Sequence, residues 1–211
     1  MAITLNGTTG ITTPAIDNQG NLTVDGGTIK LDGNYPVGSQ NVALGNAALD
    51  SNVSGENNVA IGNNSLTANT TGLSNISVGS RSMENNVGGN YNTSVGVLGL
   101  RLNESGSNNT ALGYAALLNT TASNNTAVGY QAGLSNTTGN NSVYVGYQAG
   151  DSNTTGSDAT AVGRSALQAN TTGYGNQAFG YASLYSNTTG ANNTGLGFFA
   201  LYSNTTASNN T

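Results

Sequence analysis

From Asn41 onward the chain repeats one short pattern of apolar and small residues. A large apolar residue (Leu44, Ile61, Val78, Val95, Leu112, Val128, Val145, Val162, Phe179, Leu196) is followed each time by glycine. The residue before it is small in every row except the one holding Tyr144, as in Ala43, Ala60 and Ser77. Before that, most rows place a β-branched residue, such as Val42, Ile76 or Thr110. Alternation of period two predicts a short β-strand. One strand face carries Val/Thr and Val/Leu; the other carries the small residue and glycine. A second apolar position falls four residues after the glycine (Leu49, Leu66, Met83, Leu100, Leu117, Leu167, Leu184, Leu201), replaced by Gly133 and Gly150 in two rows. A polar run of Asn, Thr, Ser and Gly then predicts a turn, because these residues tolerate unusual backbone angles or bond their own backbone. Each row therefore reads strand, bend, short second segment, polar turn.

The phased glycines are Gly45, Gly62, Gly79, Gly96, Gly113, Gly129, Gly146, Gly163, Gly180 and Gly197. Eight of the intervals between them are 17 residues, and Gly113 to Gly129 is 16. A fixed period of this length marks a repeat architecture. One row buries too few apolar side chains to offset the entropy of ordering it, whereas stacked rows merge them into one core. The row is too short for a helix-pair repeat, and 31 glycines disfavour helix. The pattern predicts an all-β fold: a parallel β-roll or β-solenoid of about ten coils, a rod on the order of 50 Å long at ~4.8 Å per coil. The ten apolar residues before the glycines are expected to be its core. The missing residue of the short interval is expected between Leu117 and Asn119, at the edge of a turn, where length changes are tolerated.

Composition narrows the function. Charged residues are 6% of the chain, against about a quarter in soluble domains. Four basic residues, Lys30, Arg81, Arg101 and Arg164, cannot build the basic face a nucleic-acid binder needs. No apolar run approaches a membrane span, so no membrane insertion is expected. The chain has neither Cys nor His, which removes thiolate ligands and the commonest general base. Asp50, Glu56, Glu84, Glu104, Asp151 and Asp158 show no phased pairing. No catalytic residue, metal site or cofactor is expected, and the chain does not read as an enzyme.

Residues 1–40 lie outside the 17-residue phase and hold both prolines, Pro14 and Pro36. Asn21–Val24 and Thr28–Leu31 flank Asp25-Gly26-Gly27, which predicts a β-hairpin. This segment reads as an attachment region separate from a repeat shaft over residues 41–211. The start, Met1-Ala2-Ile3-Thr4-Leu5, has neither the basic nor the apolar region of a secretory signal peptide. The end, Asn209-Asn210-Thr211, matches Asn124-Asn125-Thr126 at the opening of a strand motif. The roll is therefore expected to continue beyond residue 211.

Three columns could carry surface chemistry. Tyr114, Tyr130, Tyr147, Tyr181 and Phe198 follow the glycines, interrupted by Arg164; such rings could stack on glycans, cover the core edge or pack between protomers. An Asn column (Asn52, Asn69, Asn86, Asn103, Asn119, Asn136, Asn153, Asn170, Asn187, Asn204) reads first as turn residues and second as an amide ladder. Many of its members open Asn-x-Ser/Thr sequons, for example Asn136-Thr137-Thr138. Thr pairs such as Thr137/Thr138 would also stack, an arrangement that resembles ice-binding solenoids.

The rows Asn41-Val42-Ala43-Leu44-Gly45 and Asn58-Val59-Ala60-Ile61-Gly62 resemble the head repeats of trimeric autotransporter adhesins. That resemblance spans about residues 41–211 and implies a homotrimeric left-handed parallel β-roll. The coils here are longer than is common in that family. Later rows, such as Asn125-Thr126-Ala127-Val128-Gly129-Tyr130-Gln131-Ala132 and Ser186-Asn187-Thr188-Thr189-Gly190, look like repeats of phage tail-fibre-like proteins. The segments Gly10-Ile11-Thr12-Thr13-Pro14 and Gly20-Asn21-Leu22-Thr23-Val24 also look like phage fibre segments. Phage proteins leave by lysis and need no signal peptide, so the phage resemblance is preferred. It implies a virion fibre shaft, joined through residues 1–40 to a tail or baseplate protein and serving host attachment, with a host surface glycan as a further partner. The alternative is a bacterial surface adhesin. The small-residue and glycine face would permit close approach of protomers, or would simply point into a narrow coil interior.

Overall fold

The computed structural model describes residues 39–211. The hairpin expected over residues 21–31 lies outside the described residues. The repeat region is an all-β parallel β-solenoid. It contains ten three-residue strands: β1 (Val42–Leu44), β2 (Val59–Ile61), β3 (Ile76–Val78), β4 (Thr93–Val95), β5 (Thr110–Leu112), β6 (Thr126–Val128), β7 (Val143–Val145), β8 (Thr160–Val162), β9 (Gln177–Phe179) and β10 (Thr194–Leu196). They form one parallel sheet in chain order. Register is kept from coil to coil: Ala43 lies beside Ala60, Ser77 beside Ser94, and Ala111 beside Ala127 across the shorter coil. The described residues contain no helix.

The short second segment after each strand is a double turn. Ala48 N–H donates to Gly45 O (3.3 Å) and Asn52 N–H to Leu49 O (3.4 Å). The second and fourth residues after each phased glycine take positive φ, for example Ala47 (53°) and Leu49 (54°), or Ala115 (54°) and Leu117 (50°). Holding a leucine in the left-handed region costs roughly 1–2 kcal/mol. The backbone recovers this by laddering through the turns as well: Leu49 N–H donates to Ser65 O (3.0 Å) and Asn64 N–H to Asn46 O (2.9 Å).

The phased glycines lie where coils approach most closely. Gly62 has φ 133°, and a Cβ there would sit 2.5 Å from Gly79 O in the next coil. That distance is below any normal carbon–oxygen contact, so no other residue fits.

The core differs from the expected one. Leu44, Ile61, Val95, Leu112, Phe179 and Leu196 are exposed, and Val78, Val128, Val145 and Val162 are half-buried. This column faces outward. The interior is built from the small middle residue of each strand (Ala60, Ala111, Ala127, Ala161, Ala178) and from the bend column Leu49, Leu66, Met83, Leu100, Leu117, Leu167 and Leu184. The physical reason is width. A 17-residue coil holds one large side chain per layer, and the bend supplies it. The strand can add only an alanine or serine from its inward face, so its larger residues turn outward.

One layer inverts this division. Tyr144 is the inward residue of β7 and is fully buried. Its ring occupies the space of the missing bend leucines: a Cβ on Gly133 would lie 2.7 Å from Tyr144 Cδ2, and one on Gly150 would overlap the same ring. The Tyr144 hydroxyl accepts from Asn153 Nδ2 at 2.9 Å. Burial pushes this phenol up to about 12, with a hydrogen bond to Ser142 acting the other way.

Candidate functional site

Two amide ladders run through the interior and determine which surface groups are available. In the first, Asn69 Nδ2 donates to Asn52 Oδ1 (2.9 Å) and Asn86 Nδ2 to Asn69 Oδ1 (2.9 Å); the same pattern links Asn153, Asn170, Asn187 and Asn204. Each amide also closes its own turn, as Asn52 Nδ2 does on Gly55 O (2.9 Å). The column is thus a ladder and a set of turn residues at once. Its member in the short coil is Thr120, not Asn119. Thr120 is buried, whereas Asn119 is half-buried and donates to Leu134 O. The coil counts three residues from Leu117 before it shortens, so the missing residue falls between Thr121, which still ladders onto Thr137, and Ala122. This breaks the ladder: Asn103 Oδ1 is buried without a partner, because Thr120 has no amide to offer.

The second ladder precedes the strands and was not singled out from the sequence. Asn41 Oδ1 accepts from Asn58 N–H (2.8 Å), and Asn58, Asn75, Asn92 and Asn109 continue the series. Asn41 Nδ2 donates to Gly55 O at 2.8 Å, so that carbonyl takes an amide from each ladder. The signal was present as an Asn opening most strand motifs. In the sequence it reads as the opening of the repeat motif, with no mark that the column is buried.

The ladders remove two surface readings. The Nδ2 atoms of Asn136, Asn153, Asn170 and Asn187 are buried and spent on hydrogen bonds, so these sequons offer no acceptor nitrogen in the folded chain. The threonines beside them stack as expected. Their hydroxyls, however, donate to carbonyls of the next coil: Thr137 Oγ1 to Thr154 O (3.0 Å), Thr154 to Thr171 O (2.9 Å) and Thr171 to Thr188 O (3.1 Å).

Two outward features remain. The first is the sheet face, where the Leu44 column is apolar in every row and exposed in six of them, beside a Val42 column that is threonine in five rows. The second is the aromatic column beside it. Tyr114 and Tyr130 stack with centroids 5.4 Å apart, Tyr130 and Tyr147 at 5.3 Å, and Tyr181 and Phe198 at 5.1 Å. Arg164 fills the gap in this column, its guanidinium carbon 5.6 Å from both the Tyr147 and Tyr181 centroids. These rings cover no core edge; they stand exposed.

Charge is sparse at both features. Among the described residues, Glu84 pairs with Arg101 (2.6 Å) and with Arg81 (3.7 Å). No group of three or more carboxylates lies close enough to hold a metal ion among the described residues. Asp151 is half-buried, with one oxygen lacking a hydrogen bond, and burial pushes its carboxyl up from the ordinary value.

Comparison with known proteins finds no matching family model, no matching curated protein and no matching solved structure.

Proposed function

We propose that residues 41–211 are the shaft of a homotrimeric fibre, a phage tail fibre that projects a receptor-binding region from the virion, with residues 1–40 joining it to the tail or baseplate. The observation that carries the reading is the outward sheet face. Its column of Leu44, Ile61, Val95, Leu112, Phe179 and Leu196 is at least 36% exposed at each of these positions. The other four residues of the column, Val78, Val128, Val145 and Val162, are half-buried, and an apolar column with most of its rows open to water suits a surface that other chains cover. Identical coils at a constant spacing let copies meet in register along the whole rod, which suits a stiff spacer. The phage assignment rests on the resemblance of the later rows and of the first forty residues. The reading as a bacterial surface adhesin rests on the first rows, and it would use the same covered face. Ice binding finds little support, since the first threonine of four pairs (Thr137, Thr154, Thr171 and Thr188) commits its hydroxyl to a backbone carbonyl.

Native mass spectrometry tests the assembly. The expected mass is three times the 21.1 kDa chain, and aspartate at Ile61, Val95 and Leu112 together should give monomers that keep their β signal. A clean monomer at micromolar wild-type concentration would overturn the fibre reading. Removal of residues 1–40 should leave the trimer intact but exclude it from virions; normal incorporation would count against the attachment role.

A further inference from the structure

We infer that the cleft around Arg164 is a binding site for an acidic saccharide, a pyranose carrying a carboxylate. The cleft measures about 350 Å³, within the range of small-ligand sites and at its smaller end. It is lined by residues one, two and five places after the phased glycines of β7 to β10. None of them belongs to a strand, so the site lies off the sheet face assigned to trimer contacts and does not rest on the fibre reading.

The chemistry is specific to these coils. Elsewhere the column after the glycine is polar, apolar or aromatic; here it holds a cation between two rings. The Tyr147 and Tyr181 faces hold the guanidinium in place by cation–π attraction. Arg81 and Arg101 each meet Glu84, but Arg164 has no carboxylate partner among the described residues. A planar guanidinium presents a fork of donors that matches a carboxylate in a bidentate pair. The rim offers groups suited to sugar hydroxyls. Gln168 Nε2 reaches Gln148 Oε1 at 3.4 Å, which leaves the Gln168 carbonyl oxygen open, and the Ser165 hydroxyl makes no hydrogen bond among the described residues. Tyr185 and Tyr202, stacked at 5.1 Å, form a second aromatic wall, an apolar surface of the kind that packs on the C–H face of a pyranose. One cation in an acidic chain cannot hold a polyanion such as nucleic acid, and aromatic walls add nothing for a bare inorganic anion.

The test is titration of the full chain with trigalacturonate and with its methyl ester, followed by saturation-transfer NMR and calorimetry, with assembly mass recorded on the same sample. The acid should bind, and esterification should weaken binding about tenfold or more. Arg164→Tyr continues the ring column and so preserves the stack; it should weaken the acid about tenfold or more, with the thermal midpoint unchanged. Arg101→Gln should bind as wild type does. The inference is overturned if the acid fails to bind at millimolar concentration, if the ester binds equally, if Arg164→Tyr retains affinity, or if equimolar inorganic phosphate displaces the sugar. A monomeric sample that binds would sink the fibre reading alone, and a trimer that fails to bind would sink this one alone.

Discussion

Tyr144 gives the sharpest test of how the interior is filled. Replacing it with alanine restores the residue that neighbouring strands carry, yet it should be strongly destabilising, because Gly133 and Gly150 have no side chains to refill the layer. Emptying the space of a fully buried aromatic ring costs about 3–5 kcal/mol. The lost hydroxyl adds only about 1 kcal/mol, since Asn153 Nδ2 keeps Asn136 Oδ1 (3.1 Å) and Gly156 O (2.9 Å). In a chain of this size, a loss of about 4 kcal/mol should lower the thermal midpoint by roughly 10 °C. Gly150→Leu alone should also destabilise, because its side chain would enter the Tyr144 ring.

The triple variant Tyr144→Ala, Gly133→Leu, Gly150→Leu should recover most of the loss. It recreates the composition of the neighbouring layers, Ala127 with Leu117 and Ala161 with Leu167. The backbone permits this: Gly133 and Gly150 have φ of 60° and 59°, while Leu117 and Leu167 already hold 50° and 54°. Each new leucine gains about 2–3 kcal/mol from burial and loses about 1–2 kcal/mol to its left-handed bend. The assay is thermal and urea unfolding by circular dichroism at matched protein concentration, since assembly shifts the apparent midpoint. If the triple variant is no more stable than Tyr144→Ala, the volume exchange is not what places tyrosine and two glycines together.

Four further outcomes are expected. Gly113→Ala should cost at least about 3 kcal/mol, while Gly88→Ala should cost about 1 kcal/mol or less, since a Cβ on Gly113 would overlap Gly129 O of the next coil whereas one on Gly88 meets only Thr71 Oγ1 at 3.3 Å; equal losses in urea titrations would refute the stacking argument. Thr120→Asn should stabilise by about 1 kcal/mol by donating to the orphaned Asn103 Oδ1, read as a rise in the same midpoint. Burial pushes the Tyr144 phenol up to about 12 from its ordinary value of 10.0, so its contribution is complete below pH 10 and falls as pH rises through 12; the loss is about 3 kcal/mol. Tyr144→Phe should lack that alkaline decline, and a parallel decline in both proteins would sink the assignment. Asp151, also raised, opposes folding once ionised above its ordinary range, so Asp151→Leu, matching Leu134 in the coil before, should raise the neutral-pH midpoint and lower the gain in acid.

The period, the parallel register and the position of each strand were legible because period-two alternation and a phased glycine survive in every row. Which face turned inward was not. Leu44 and Leu49 are equally apolar as letters, and only the width of a closed coil decides that the bend leucine enters and the strand leucine leaves. The Asn column was visible, but its sequence alignment led through Asn119, since Asn-Thr-Thr recurs there. The structure counts backbone steps from Leu117 instead and arrives at Thr120. At the surface, the aromatic column could be read directly. The cleft could not, because it joins residues one, two and five places after glycines in four successive coils, and no local spacing reveals that their side chains converge.

The low charge of the chain follows from the stacking. In register, every residue lies about 4.8 Å from its counterpart in the next coil. Two like charges at that distance repel by about 0.9 kcal/mol in water and by about 3.5 kcal/mol at an effective dielectric constant of ~20. A charged column would pay this at every step, so a column must be filled by residues that can bind copies of themselves. Asn and Gln both donate and accept, as in the Asn69–Asn52 and Gln148–Gln131 amide pairs. Threonine reaches the next carbonyl, tyrosine stacks, and leucine packs. Charges survive only where the column breaks its own repetition. Glu84 does so with arginines of opposite sign at Arg81 and Arg101, and Arg164 does so with tyrosine on either side. A lone cation held between neutral rings, in a chain whose stacking excludes repeated charge, is therefore the position least explained by the repeat and best placed to act on a ligand.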